Sequence, residues 1–291
     1  MLGYLFAVIS SVFFSLYVVP RKLSKLSPVI FSFFMSLGFS VSSIILYCFK
    51  PLIHFHETPN PILLWSVFAG AIWATAFVCF IVSIDLIGLS RSNQWKNLQG
   101  PVGVILSLII LSEFATTNPI FAILAAIVLF LSALCFTIAS NQVKYLVNKG
   151  IYLACFSALG FGSVAVIQKY VTSHVGVYSQ QVVWSLSIAA SLFFYILISK
   201  KLKEIRGSHK DIILGLVAGV LYLGASLFQL LSYNFLSASI AFTVVQLNAL
   251  WTVMIGIFFF KEIEFRKYYK RISFGFLLTT VGIIFLVFAR K

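Results

Sequence analysis

Residues 107–114 read SLIILSEF and residues 256–263 read GIFFFKEI. Each closes a long apolar run with an acid. Each run follows a Ser-containing joint, LIGLSRS at 86–92 and NFLSASI at 234–240. The pairing makes the second half of the chain a copy of the first, divided near Val147 and Asn148. Outward from these two stretches, apolar runs bounded by charges and turn residues predict ten helices: 2–19, 28–48, 61–84, 89–112, 118–138, 150–171, 178–198, 211–233, 237–260 and 271–288. Runs of roughly 20 residues are long enough to cross a bilayer. Five spans per half force the halves into opposite orientations. The expected fold is therefore an all-α polytopic membrane protein, with ten transmembrane helices in two inverted five-helix repeats. The repeats are residues 1–147 and 148–291, and such a plan sets a substrate site near the midplane between them.

Composition excludes the alternatives. The chain has 291 residues, 61% hydrophobic and only 10% charged, with 31 Phe and 12 Tyr. A soluble domain is about a quarter charged and could not bury so much apolar surface. Ten spans leave no length for an extramembrane domain. The four cysteines, Cys48, Cys79, Cys135 and Cys155, sit inside apolar runs without ligand spacing. The N-terminus is apolar from Leu2 with no preceding basic region, which predicts a retained first span rather than a removable signal.

The net charge of +14 is a topological signal, not a nucleic-acid one. Sixteen of the 21 basic residues fall in the odd-numbered connections, among them Arg21, Arg91, Lys149, Arg206, Lys261 and Arg271. Lys50, Lys169, Arg290 and Lys291 fall on the other side, and Lys96 lies within a span. Basic residues accumulate in cytoplasmic loops, so both termini are expected outside.

Polar groups inside a membrane are costly and mark function or helix association. The densest cluster is RSNQWKNLQGP at 91–101. On a continuous helix Ser92, Trp95, Lys96, Gln99 and Gly103 share one face. Pro101, with Gly100, should distort that helix near mid-span. Lys96 either faces a substrate site or snorkels its ammonium to the cytoplasmic surface. In the second half Ser239, Thr243 and Gln246 share a face, beside Asn248 and Trp251; these amides serve either a site or interhelical bonding. Trp184, Gln180 and Gln181 lie near a span boundary and read as interfacial anchors. The candidate substrate-binding set is Trp73, Trp95, Lys96, Gln99, Gln246, Asn248 and Trp251.

The seven acids (Glu57, Asp85, Glu113, Glu204, Asp211, Glu262 and Glu264) lie in or beside connections, so none is placed at mid-membrane to carry a proton. His54, His56, His174 and His209 show no metal spacing. No nucleophile, zinc or nucleotide motif stands in a solvated region, so no catalytic residue and no cofactor is expected.

The stretches GAIWATAFVCFIVSIDLIGLSRS (70–92), LQGPVGVILSLIILSE (98–113) and GLVAGVLYLGASLFQLLSYNFLSASIAFTVVQLNALWTVMIGIFFFKE (215–262) resemble the glucose/rhamnose uptake branch of the drug/metabolite transporter superfamily. The most specific pieces are Gly70 with Trp73, Ile87–Ser90, and Ser239–Gln246 with Glu262. The resemblance implies the ten-helix inverted-repeat fold, sugar uptake across the plasma membrane and, in many members, a coupling cation. The run NQWKNLQGP is more polar and basic than that family suggests.

A neutral sugar agrees with the residues. Pyranose C–H faces stack on indoles, and hydroxyls suit amides that both donate and accept. Lys96 equally suits an anionic metabolite, so an exporter of an organic anion or amino acid remains open. A non-transporting sensor would need an output surface that the short connections do not offer. The partners expected are a small-molecule substrate and the lipid bilayer.

Overall fold

The computed structural model describes residues 1–49, 60–135, 144–205, 208–261 and 265–291. Lys50, His54, His56, Glu57, Arg206, Glu262 and Glu264 lie outside the described residues. The chain is all-helical there, apart from one isolated bridge between Thr117 and Arg290. The helices are α1 (Leu2–Leu16), α2 (Val19–Leu23), α3 (Pro28–Cys48), α4 (Leu64–Ile87), α5 (Leu89–Lys96), α6 (Gln99–Ile110), α7 (Pro119–Cys135), α8 (Lys144–Thr172), α9 (Val177–Ile198), α10 (His209–Tyr233), α11 (Ala238–Val245), α12 (Asn248–Phe258) and α13 (Phe265–Ala289). Among the described residues, eight segments are long and apolar enough to cross a membrane, with Ala238–Phe258 counted as one; Gln99–Ile110 and Pro119–Ser132 are apolar but shorter. Large apolar side chains such as Ile109, Phe194, Ile198 and Phe276 project outward from this bundle, as a lipid-facing surface requires. The protein is multi-pass.

Local sequence sets the ends. Pro28 opens α3 after an extended Ser27, the position where a missing N–H costs nothing. Asn60 Oδ1 accepts from Ile62 N at 2.9 Å just before α4, and Ser208 Oγ accepts from Asp211 N at 3.2 Å at the start of α10. Gly88, at φ 84°, turns the chain between α4 and α5.

Several boundaries recur at one offset. Leu23 ends α2 and Thr172 ends α8; Pro28 opens α3 and Val177 opens α9. α5 and α11 run 89–96 and 238–245, while α6 and α12 begin at 99 and 248. Every one of these pairs is separated by 149 residues. Contacts cross between the halves: α4 packs on α8 and α9, α10 on α1 and α3, and α6 on α11. At the α3–α10 crossing the backbones touch, since a Cβ on Gly219 would lie 2.1 Å from Met35 O. Gly215 likewise faces Phe34 of α3, so this small-residue pair packs helices within the chain.

The fourth run departs from expectation. The distortion anticipated at Gly100 and Pro101 falls instead at Asn97 and Leu98, between α5 and α6. Pro101 has no N–H to return to Asn97 O; Gly100 N reaches that carbonyl at 3.0 Å, in a tighter turn. Pro101 thereby sits in the first turn of α6, where it is tolerated. The face proposed for Ser92, Trp95, Lys96, Gln99 and Gly103 is consequently split. The second break, at Gln246 and Leu247, occurs without any proline.

Candidate functional site

The two breaks meet. α6 packs on α11 and α5 on α12, so the broken helices run antiparallel with their joints in contact. Gln99 Nε2 donates to Gln246 Oε1 at 3.2 Å. Gln246 in turn donates to Phe242 O. A Cβ on Gly100 would lie 2.8 Å from Gln246 Cγ, so only glycine allows this approach. One layer away, Asn93 Nδ2 donates to Asn248 Oδ1 at 3.2 Å and to Thr252 Oγ1 at 3.1 Å. These amides join helices, and they also satisfy polar groups that the breaks leave at depth.

Beside this joint lies a narrow central cavity of about 30 Å³. Its wall includes Tyr17, Trp73, Phe161, Trp184 and Tyr222 with Lys96, Gln99, Gln168 and Gln229. The side chains leave room for about one or two waters and not for a hexose. The aromatic rings are mutually locked. Trp73 lies 4.9 Å from Tyr222 and stacks on Phe77 at 4.5 Å, while Trp184 meets Phe39 edge-on at 5.4 Å.

Of the sequence-derived candidates, Trp73, Lys96 and Gln99 line this cavity. Gln246 and Asn248 stand behind it in the helix joint. Trp95 turns away toward Phe130 of α7, with ring centroids 6.4 Å apart. Trp251 donates from Nε1 to Ser11 Oγ at 3.0 Å, tying α12 to α1. Lys96 does not snorkel: it is 2% exposed, with Nζ 5.4 Å from the centre of the Phe80 ring. Trp184, Gln180 and Gln181 are buried inside the protein rather than anchored at an interface. The cavity residues Tyr17, Trp184, Gln168, Tyr222 and Gln229 have no clustered signal in the sequence, because they come from four separate helical segments.

The ends of the bundle differ. At one end Arg21, only 6% exposed, grips Asp85 with Nη2 at 2.5 Å and Nε at 3.2 Å and donates from Nη1 to Leu26 O. Lys25 N donates to Asp211 and Ser27 Oγ to Glu204 at the same end. At the other end an open vestibule of about 750 Å³ is lined by Glu113, Lys169, His174, Tyr233 and Arg290. There the Glu113 carboxylate accepts from Ala238 N at 2.6 Å, Ser239 N at 3.0 Å and Ser239 Oγ at 2.8 Å. An anion at a helix N-terminus satisfies amides that would otherwise lack partners. Among the described residues, no group of three or more His, Cys, Asp or Glu could hold a metal ion.

Residues 1–140 match the family model of a sugar transport protein, and residues 148–288 match the EamA-like transporter family. The chain belongs to the sugar-transporter branch of the drug/metabolite transporter superfamily. A crystal structure described simply as that of a protein aligns with a TM-score of 0.70 at 11% identity, over 98% of this chain and 94% of its own. That likeness concerns the fold. No curated protein matches the chain. The transporter thus carries its polar cavity where the broken helices of its two halves touch.

Proposed function

We propose that the transporter moves a small sugar-type solute across the plasma membrane by alternating access, with the central cavity as its binding site. Ten spans would form two inverted five-helix repeats, residues 1–147 and 148–291. The constant separation of 149 residues between equivalent helix ends supports that division. The observation that carries the reading is the cavity itself, where seven aromatic rings and three glutamines converge beside two helix breaks. Rings offer stacking faces to pyranose C–H groups, and amides match hydroxyls. Trp73, Lys96 and Gln99 would contact the solute directly. Gln246 and Asn248 would hold the two breaks in register, with Trp95 and Trp251 fixing the broken helices from outside. The contracted cavity corresponds to an occluded state, closed at one end by Arg21 and Asp85. The alternating charge of the connections orients that end toward the cytoplasm, with both termini outside.

Tracer exchange in proteoliposomes tests this. With glucose, rhamnose and glucuronate offered in turn, at least one labelled sugar should enter vesicles preloaded with its unlabelled form, faster than into empty ones. Trp73→Ala should lower that exchange in a protein that remains monodisperse. Vesicles that exchange none of the three would overturn the reading.

A further inference from the structure

The cavity wall is unbalanced in charge and in hydrogen bonding. Lys96 supplies an ammonium and, among the described residues, no Asp or Glu lines the space. Among the described residues, Lys96 Nζ makes no hydrogen bond and has no carboxylate within 4.0 Å. Its ammonium lies 5.4 Å from the centre of the Phe80 ring. Trp184 Nε1 and Gln168 Nε2 are also buried on this wall without an acceptor. An ammonium and an indole can only donate. A neutral sugar would bring as many donors as acceptors to a wall whose open positions ask for acceptors. A carboxylate brings acceptors alone and neutralises the buried cation.

Resting on the sugar-transport reading above, we infer that the solute is a monoanionic sugar acid of hexose size. Its carboxylate is held by Lys96, and its ring lies against Trp73, Trp184 and Tyr222. The number of cations sets the charge. Among the described residues, Lys96 is the one Lys or Arg in the cavity wall, so it balances a single carboxylate. A phosphate ester, with a charge of about −1.5 to −2 at neutral pH, would remain undercompensated in the same space. The aromatic rings exclude small inorganic anions as good ligands, since those leave the stacking surface unused.

The test is tracer exchange in proteoliposomes with labelled glucuronate, glucose and glucose 6-phosphate, for wild type, Lys96→Met and Lys96→Gln. Wild type should exchange glucuronate at least about tenfold faster than the other two. Both neutral variants should lose glucuronate exchange by about ten- to a hundredfold, so that the wild-type preference for glucuronate over glucose is abolished or reversed. Such an inversion of charge preference is something a merely structural lysine would not produce. Lys96→Arg should retain part of the glucuronate exchange and serves as a folding control. Glucose carried without glucuronate, or equal loss of both in folded variants, overturns the sugar-acid inference and leaves sugar transport standing. A preference for glucose 6-phosphate also overturns it. Vesicles inert to all three overturn the sugar-acid inference, and the sugar-transport reading falls with it when rhamnose is not exchanged either.

Discussion

Ser112 and Lys261 hold the same left-handed backbone, at φ 52° and 50°, 149 residues apart. They occupy the same place in SLIILSEF and GIFFFKEI. Non-glycine residues avoid this region at a cost of about 1–2 kcal/mol. In the first half the turn has a visible consequence. It swings Glu113 back so that its carboxylate caps α11, one of the broken helices of the other half. The strain therefore accompanies a contact between the halves, and its recurrence supports the duplication proposed above.

Relieving that strain should be measurable. Ser112→Gly removes the Cβ conflict and should stabilise the detergent-solubilised protein by about 0.5–1 kcal/mol, less whatever glycine gains in the unfolded chain. Ser112→Val should destabilise it by about 1–2 kcal/mol, because a β-branched residue tolerates positive φ poorly. Thermal unfolding curves that leave the two variants indistinguishable would remove the backbone strain from the account.

The Arg21–Asp85 pair makes a second case. Arg21 is nearly enclosed and Asp85 supplies both acceptors of a forked pair. Asp85→Ala leaves the nearly enclosed guanidinium to the Leu26 carbonyl, and because Asp85 is itself 38% exposed the change should cost about 1–3 kcal/mol. Replacing both residues by apolar ones of similar size should cost distinctly less than the sum of the single changes. Asp85→Asn should slow transport without abolishing its response to an imposed proton gradient, since Asp85 is engaged as a counter-ion. Complete uncoupling with exchange retained would make Asp85 a proton carrier.

Some helix ends and the recurring joint are legible in the sequence where prolines and polar caps mark them, while the starts expected at 150 and 271 fall at Lys144 and Phe265. α3 opens at Pro28 and ends at Cys48, as the apolar run reads. The cavity was only half legible. Lys96, Gln99 and Trp73 stand out as polar or large groups in apolar surroundings. Trp184 was read as an interfacial anchor because proximity to a span end is all that hydropathy reports. In the fold that part of α9 is enclosed by α3 and α4. A membrane helix is apolar toward lipid and toward protein alike, so periodicity cannot separate the two faces. The break at Gln246 has no proline to announce it; its partner is Gln99, 147 residues away.

Orientation is open to a labelling test. Ser173 and Ser208 are exposed in the connections α8–α9 and α9–α10, at opposite ends of α9. In a background with Cys48, Cys79, Cys135 and Cys155 replaced, a cysteine at 173 should react with a membrane-impermeant thiol reagent in intact cells, and one at 208 should react after permeabilisation. The reverse pattern would place the basic connections outside and invert the topology.

The last prediction concerns the partition between cavity and vestibule. Gln229 lines the cavity, Tyr233 lines the vestibule, and Gln229 Nε2 donates to the Tyr233 hydroxyl at 2.6 Å. Lys169 donates to the carbonyls of Tyr233 and Leu236, with Nζ 5.9 Å from the centre of the Tyr233 ring. Tyr233 is 1% exposed, so its ring fills the partition. Tyr233→Ala removes both the ring and the hydrogen bond. A cysteine placed at Ala165, on the cavity wall, should then react with an aqueous thiol reagent at least about tenfold faster, as expected when a closed state loses about 1.4 kcal/mol. Tyr233→Phe keeps the ring but strands one donor of Gln229, a loss of about 1–3 kcal/mol; its labelling rate should fall between those of wild type and Tyr233→Ala. An unchanged rate in a folded Tyr233→Ala protein would show that the cavity opens by another route, and the partition would lose its role as the outer gate.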